Sequence, residues 1–455
     1  MVATRVMPSA TATGTTLFAE LHVSNCTGNF TSSVNHRSCR IMLPTTYDES
    51  DWLTKSPEIL ADYGQRRSVW RSTTFQHFLC VAEASVVVVG AGAAGLSAAA
   101  ALKRKGIDAV VLEQDARVGG TWARRYDRLH LHTVRGFSGL AHYRIPRLFP
   151  KYLSRDDFIR YLGEYAEHFG LRIITDCPVA KIAKDADASN GWKISTAGDT
   201  WRARAVVIAA GQYRIPIVPR WPGSDIYKGQ LLHSTSYSVP TPYVGKRVLV
   251  VGAGNSGTEI ATDIAENGAA FVALSIRTSP AIVPRDPFGM PVQRTGILLN
   301  FLPARIADRI GRLTSRIVLG DLTAFGVPRA EWGPFSAKRV PVIDVGFVRA
   351  LKQGLVQIRP ALTRLTETEA VFADGRAERF DVIMAAIGFS TGLKELLDSP
   401  EALDDSGEPI DVAGNPTARP GLFFIGYTHS LRGHLFEANL ASRRLAKNMQ
   451  RYLRG

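Results

Sequence analysis

Two short glycine-rich stretches hold the residue types best suited to chemistry in this 455-residue chain. The first reads Gly90-Ala91-Gly92-Ala93-Ala94-Gly95, and the second Gly252-Ala253-Gly254-Asn255-Ser256-Gly257. Where such a stretch joins a strand to a helix, each glycine has a mechanical task. Gly90 and Gly252 permit the tight turn out of the strand. Gly92 and Gly254 let a pyrophosphate approach the backbone, and Gly95 and Gly257 let helix and strand pack closely. The helix starts, at Ala93 and Ala94 in one stretch and Asn255 and Ser256 in the other, offer unpaired N–H groups to an anion.

The residues that follow distinguish the two. The first unit reaches Glu113 at the end of its second strand, where a carboxylate accepts hydrogen bonds from free ribose hydroxyls. FAD or NAD is the expected guest. The second unit reads Ser275-Ile276-Arg277-Thr278-Ser279 at the matching place. A carboxylate there would repel a 2′-phosphate, whereas the Arg277 guanidinium, flanked by hydroxyls such as that of Thr278, would bind it. This site should prefer NADPH. One site of each kind suggests hydride delivery from NADPH to a flavin.

The elements that must position these residues are readable from apolar runs. Val86–Val89 reads as a buried strand, followed by an alanine-rich helix up to Lys105 and a strand at Ala109–Glu113. Arg247–Val251 repeats the pattern, with a helix over Thr258–Asn267 and a strand near Phe271–Ile276. The expected class is α/β, with two Rossmann-like dinucleotide-binding domains.

Composition narrows the field. Cys26, Cys39, Cys80 and Cys177 are far apart, so a disulfide scaffold, a thiolate zinc site and a redox dithiol are not expected, nor is any metal. A reducing cytoplasmic setting fits, and no run is long enough to span a membrane. The net charge is +14, and residues 1–83 carry seven charges of each sign, so the surplus lies beyond them. With no basic–aromatic interleaving, nucleic acid is not expected as a partner, and the charge reads as solvated surface. Residues 1–83 read as an extension, disordered or preceding the true start, with Arg5 and Glu20 the only charges among the first 33.

After Glu113 come Gly119-Gly120-Thr121-Trp122 and Tyr126-Asp127-Arg128-Leu129-His130-Leu131-His132. The segment from Tyr227 to Tyr237 fits the pattern F-x-G-x-x-x-H-x-x-x-Y, with Tyr227 for the opening Phe and His233 at its centre. With Pro341-Val342-Ile343-Asp344-Val345-Gly346, these segments resemble the class B flavin-dependent monooxygenases, and among them the YUCCA-like branch. The resemblance covers about residues 85–455. It implies an NADPH domain (213–388) inserted into an FAD domain (84–212 and 389–455). The crossings are Val207-Ile208-Ala209-Ala210-Gly211 and Met384-Ala385-Ala386-Ile387-Gly388-Phe389. Both lack the family's threonine, replaced by Ala210 and Ile387.

The resemblance also implies roles. Gly120, Thr121, Trp122 and His233 join the cofactor residues, and His132 is the one candidate catalytic side chain, standing where amine- and sulfur-oxygenating members carry asparagine. The implied activity is monooxygenation of a small molecule with O2 through a C4a-(hydro)peroxyflavin. In the YUCCA branch this is oxidative decarboxylation of a 2-oxo acid such as indole-3-pyruvate to indole-3-acetate. N- or S-oxygenation, a Baeyer–Villiger reaction (disfavoured by Tyr237 where Trp is usual) and a non-catalytic flavin-binding protein are the alternatives. A pyridine nucleotide–disulfide reductase would need paired cysteines. Residues 302–319 read as an amphipathic helix, with Ile306, Ile310, Leu313 and Ile317 beside Arg305, Arg309, Arg312 and Arg316. The first expectation is a lid packed on the protein's own core, the arginines in water; peripheral membrane or dimer contact is the other.

Overall fold

The computed structural model describes residues 81–186, 191–337 and 339–455, and the backbone of two antiparallel strands, Phe18–Leu21 and Cys39–Met42. The expected extension over 1–83 therefore lies mostly outside the described residues. At its end, however, the first long strand starts at Val81 rather than Val86, because Val81–Val89 pairs along its whole length with Thr200–Ile208.

Val81–Val89 lies in a seven-stranded sheet, flanked by parallel strands Ala109–Leu112 and Thr200–Ile208. A parallel sheet covered on both faces reads as a continuous apolar run, which the four valines 86–89 provide. One face is covered by the helix Ala93–Lys103. Its alanines are small enough to let the C-terminal helix His434–Arg454 pack close, where Ser442 Oγ donates to Ser97 Oγ at 2.7 Å. The strand Leu422–Phe424 returns to this sheet beside Thr200–Ile208, so one domain is built from two separated stretches of chain.

Between those stretches sits a second, wholly parallel sheet of five strands. Its order is Gln230–His233, Val382–Ala385, Arg247–Val251, Phe271–Ser275, Gln357–Arg359. The helix Asn255–Glu266 covers it, starting three residues before the expected Thr258. The inserted arrangement is thus the one the resemblance implied. The two crossings run together, since Ile215–Pro216 and Phe389–Ser390 pair antiparallel.

Between Phe271–Ser275 and Gln357–Arg359 the chain makes a long excursion. It carries the paired strands Ile282–Pro284 and Val342–Asp344 and the helices Val292–Leu299 and Ala304–Leu319. Gln293 fastens it to the first domain by accepting from the Val134 amide (2.9 Å) and donating to the Arg432 carbonyl (2.6 Å). The long helix exists as expected, but its Ile/Leu stripe is not the side that packs. Ala307, Asp308 and Leu319 are buried instead. Asp308 decides this, because its carboxylate accepts from the Phe335 and Ser336 amides (2.9 and 3.1 Å) and turns that side inward.

Candidate cofactor and active site

The first glycine turn has the geometry its spacing demands. Gly90 has φ +104°, and a β-carbon there would lie 2.6 Å from the Ala209 carbonyl oxygen. A β-carbon on Gly95 would lie 1.9 Å from the Gly90 oxygen, whereas one on Gly92 would meet nothing within 4 Å. The outer two glycines are thus required by the protein itself, and Gly92 leaves open space in front of the helix. That helix has no side-chain cap, so the amides around Ala93 and Ala94 face that space free. Glu113 is buried behind the turn, accepting from the Ala91 amide (2.5 Å) and the Asp115 amide (2.9 Å). Burial pushes its carboxyl above the ordinary range despite these two donors, so further hydrogen-bond donors such as ribose hydroxyls would stabilise its charged form.

Gly119-Gly120-Thr121-Trp122 folds onto the same turn, the Gly119 amide reaching the Ala91 carbonyl at 3.4 Å. A side chain at Gly120 would collide with Asp115. Trp122 packs edge-on against Phe158 (4.7 Å between rings), and Thr121 is exposed.

The second turn repeats the first. Gly252 has φ +111° and abuts the Ala386 carbonyl, Gly257 abuts Gly252, and Gly254 faces open space at an uncapped helix start. The two can be aligned by a shared bond: the Gly90 amide donates to the Leu112 carbonyl (2.8 Å), and the Gly252 amide to that of Ser275 (3.0 Å). Ile276, buried and apolar, is therefore the counterpart of Glu113. Arg277 and Thr278 follow it, exposed, and Arg277 has no carboxylate partner among the described residues. Ser275 is committed elsewhere, donating to the Pro360 carbonyl (2.7 Å). The Asn255 side chain is also occupied, bridging the Pro341 carbonyl (3.1 Å) and the Ile343 amide (2.8 Å), so only its backbone and that of Ser256 face the open space.

His132 has a partner that the sequence gave no reason to expect. Its Nε2 is hydrogen-bonded to Glu259 on the helix Asn255–Glu266. Tyr126 donates to the same carboxylate (3.1 Å), Arg128 reaches Glu266 (2.6 Å) and Asp263 (3.3 Å), and Tyr237 donates to Asp263 (2.6 Å). Glu259, Asp263 and Glu266 line one side of the helix, so Tyr126, Arg128 and His132 fasten the first domain to the second. Tyr237 needs its hydroxyl for the buried Asp263, which explains the residue closing its motif. His233 is buried, its Nδ1 accepting from the Thr235 amide (3.2 Å) and its ring lying against Phe389 (5.2 Å).

Around the crossings the structure gathers residues that motif reading missed. Gln212, next after the first crossing, donates through Nε2 to the Gly426 carbonyl (2.7 Å). That bond fixes the amide and leaves Oε1 buried without a partner. A buried acceptor of this kind suits a ring N–H of a flavin, one reason the residues present fit the cofactor. His434 opens the C-terminal helix with Nδ1 3.1 Å from the Thr428 carbonyl; burial pushes its pKa below the usual histidine value. Arg125 lies with its guanidinium 4.8 Å from the Phe389 ring centre, and burial lowers its pKa. It has no carboxylate partner among the described residues. Elsewhere, Leu431 and the excursion wall a largely apolar cavity of about 490 Å³, which neither Gln212, His434 nor Arg125 lines. Among the described residues no cluster could hold a metal ion, and no helix is long and apolar enough to cross a membrane.

Comparison with known proteins agrees with this geometry. The flavin-binding monooxygenase-like family profile matches residues 83–443. The chain is 34% identical over 357 residues to indole-3-pyruvate monooxygenase YUCCA1 of Oryza sativa subsp. japonica, covering 75% of this chain and 86% of that one. It is 33% identical over 395 residues to indole-3-pyruvate monooxygenase YUCCA6 of Arabidopsis thaliana, covering 84% and 93%. Its fold matches a flavin-containing monooxygenase from Stenotrophomonas maltophilia with a TM-score of 0.64 at 23% identity, covering 82% of this chain and 99% of that one. An oxidized steroid monooxygenase bound to NADP matches at 0.64 and 21% identity, covering 80% and 85%. The chain therefore belongs to the flavin-binding monooxygenase-like family and is an NADPH-dependent flavin monooxygenase with FAD and NADPH as cofactors.

Proposed function

We propose that this enzyme oxidatively decarboxylates a 2-oxo acid such as indole-3-pyruvate, releasing CO2 and giving indole-3-acetate. One NADPH, one proton and one O2 are consumed, and NADP+ and one water are formed with the products. The observation that carries the reading is Arg125, a half-buried guanidinium with no carboxylate partner among the described residues, held over Phe389 where the domains cross. A desolvated cation without an acid is costly unless a ligand anion pairs with it, and a 2-oxo acid brings a carboxylate. The similarity to indole-3-pyruvate monooxygenases supports the same choice.

In this reading the first cradle, with Gly92, Gly95 and Glu113, holds FAD, and the second, with Gly254, Gly257, Arg277 and Thr278, holds NADPH. Bound FAD supplies two-electron transfer from NADPH and activation of O2. The protein's own groups bind, orient and exclude water. Gln212 Oε1 offers its acceptor to the flavin ring, and His434, kept neutral by burial, adds no charge beside it. Tyr213, Phe389 and His233 screen the crossing with their rings.

Product analysis with indole-3-pyruvate, NADPH and air tests this, together with the Arg125→Gln variant. Indole-3-acetate should form, and the variant should raise KM for the oxo acid about ten- to a hundredfold, the loss of one charge-assisted hydrogen bond, with flavin reduction by NADPH unchanged. Oxygenation of amines or sulfides with no indole-3-acetate would contradict the proposal.

A further inference from the structure

We infer that the helix Ala304–Leu319 is a docking surface for an anionic lipid bilayer. Ile306, Ile310, Leu313 and Ile317 fall on one side of the helix, turned away from buried Asp308 and Leu319, with relative exposures of 47%, 38%, 61% and 62%. Phe301, just before the helix, is 84% exposed. An apolar stripe of this length in water marks a surface that something covers.

Charge selects the occupant. Arg305, Arg309, Arg312 and Arg316 recur at the same helical spacing and form a row beside the stripe, none within ion-pair distance of a carboxylate among the described residues. The helix has one acid, Asp308, and it is buried and engaged by two backbone amides. A second copy of this helix would set arginines against arginines, with no exposed acid on the helix to receive them. A bilayer of anionic lipid answers both features, since the isoleucines enter the headgroup–acyl boundary while the guanidiniums stay among the phosphates. The cavity of about 490 Å³ is lined by Asp308 and Leu319 and also by Arg312, Leu313 and Arg316, whereas Ile306, Ile310, Ile317, Arg305 and Arg309 do not line it.

The test is flotation of the full-length, flavin-loaded protein with vesicles of phosphatidylcholine alone or of phosphatidylcholine mixed with phosphatidylserine. Two double variants accompany it, Ile310→Ser with Ile317→Ser, and Arg309→Gln with Arg312→Gln. All four side chains are exposed and without ion-pair partners, so flavin content and thermal melting should match the parent. Binding to the anionic vesicles should exceed that to neutral ones by about tenfold or more, fall by a similar factor in each variant, and weaken with added salt. The inference is overturned by no flotation with either vesicle, or by equal flotation with both. It is equally overturned by a concentration-dependent dimer that the Ile310→Ser, Ile317→Ser variant dissociates, since a second copy would then be the occupant.

Discussion

A β-carbon at Gly95 would stand 1.9 Å from the Gly90 carbonyl oxygen, and one at Gly257 would stand 1.9 Å from that of Gly252. At Gly90 and Gly252 the equivalent intrusion is 2.6 Å from Ala209 and from Ala386, one at each crossing. Both helix starts are uncapped, and both middle glycines face open space. The glycine turn is therefore built twice to the same backbone plan. The difference begins one residue past the second strand, where buried Glu113 in one unit is matched by buried Ile276 and exposed Arg277 in the other. In the proposed assignment, the shared phosphate cradle would reside in the main chain, and discrimination between nucleotides in the side chains at one strand end.

The strongest way to break this comparison is to fill each open space separately. Gly92 and Gly254 have ordinary extended backbone angles and no neighbour to clash with, so Gly92→Val and Gly254→Val should fold. Gly92→Val should lose flavin, binding it about a hundredfold more weakly, roughly 3 kcal/mol. Gly254→Val should stay yellow while NADPH binding weakens by a similar factor. Flavin absorbance after gel filtration and NADPH titration distinguish the two, and a yellow Gly92→Val protein with normal affinity would refute the cradle assignment.

Next in size is the strand-end contrast. Arg277→Gln should weaken NADPH about ten- to a hundredfold, the range for one hydrogen bond to a charged group, and leave NADH unchanged. Stopped-flow reduction of the flavin by each nucleotide measures this.

A smaller effect sharpens the contrast between the crossing and the cradles. Burial depresses the pKa of His434 and of His233 below the ordinary 6.5. In each case the unfolded chain binds the proton more readily than the folded one. The stability associated with the neutral rings is thus fully present above pH 6.5 and lost as pH falls below it toward the folded values. Thermal melting of the flavin-loaded protein should drop on acidification through that window, and His434→Gln should flatten the drop.

Local patterns made the cradles legible. A valine run, three spaced glycines and the charge at a strand end all lie within about thirty residues of one another, and each acts through backbone geometry that spacing encodes. The latch between domains could not be found that way, because Tyr126, Arg128 and His132 meet acids more than 120 residues later in the chain. A signal did exist, since Glu259, Asp263 and Glu266, the helix's three acids, fall on one side of it. It gave no clue to its partners. His132 accordingly read as a catalytic candidate, whereas its place is against Glu259. Gln212 and His434 belong to no motif and become visible only when Leu422–Phe424 returns beside Thr200–Ile208. On the helix Ala304–Leu319 the apolar stripe was plain in the sequence. Which side faces inward was not, because the deciding bonds come from Phe335 and Ser336, beyond the helix itself.

Anaerobic reduction of the purified protein's bound flavin by matched concentrations of NADPH and NADH tests the two-cradle account most directly. The account predicts a yellow protein whose visible absorption is bleached at far lower concentrations of NADPH than of NADH. A protein that retains no flavin, or one that both nucleotides bleach alike, would contradict it.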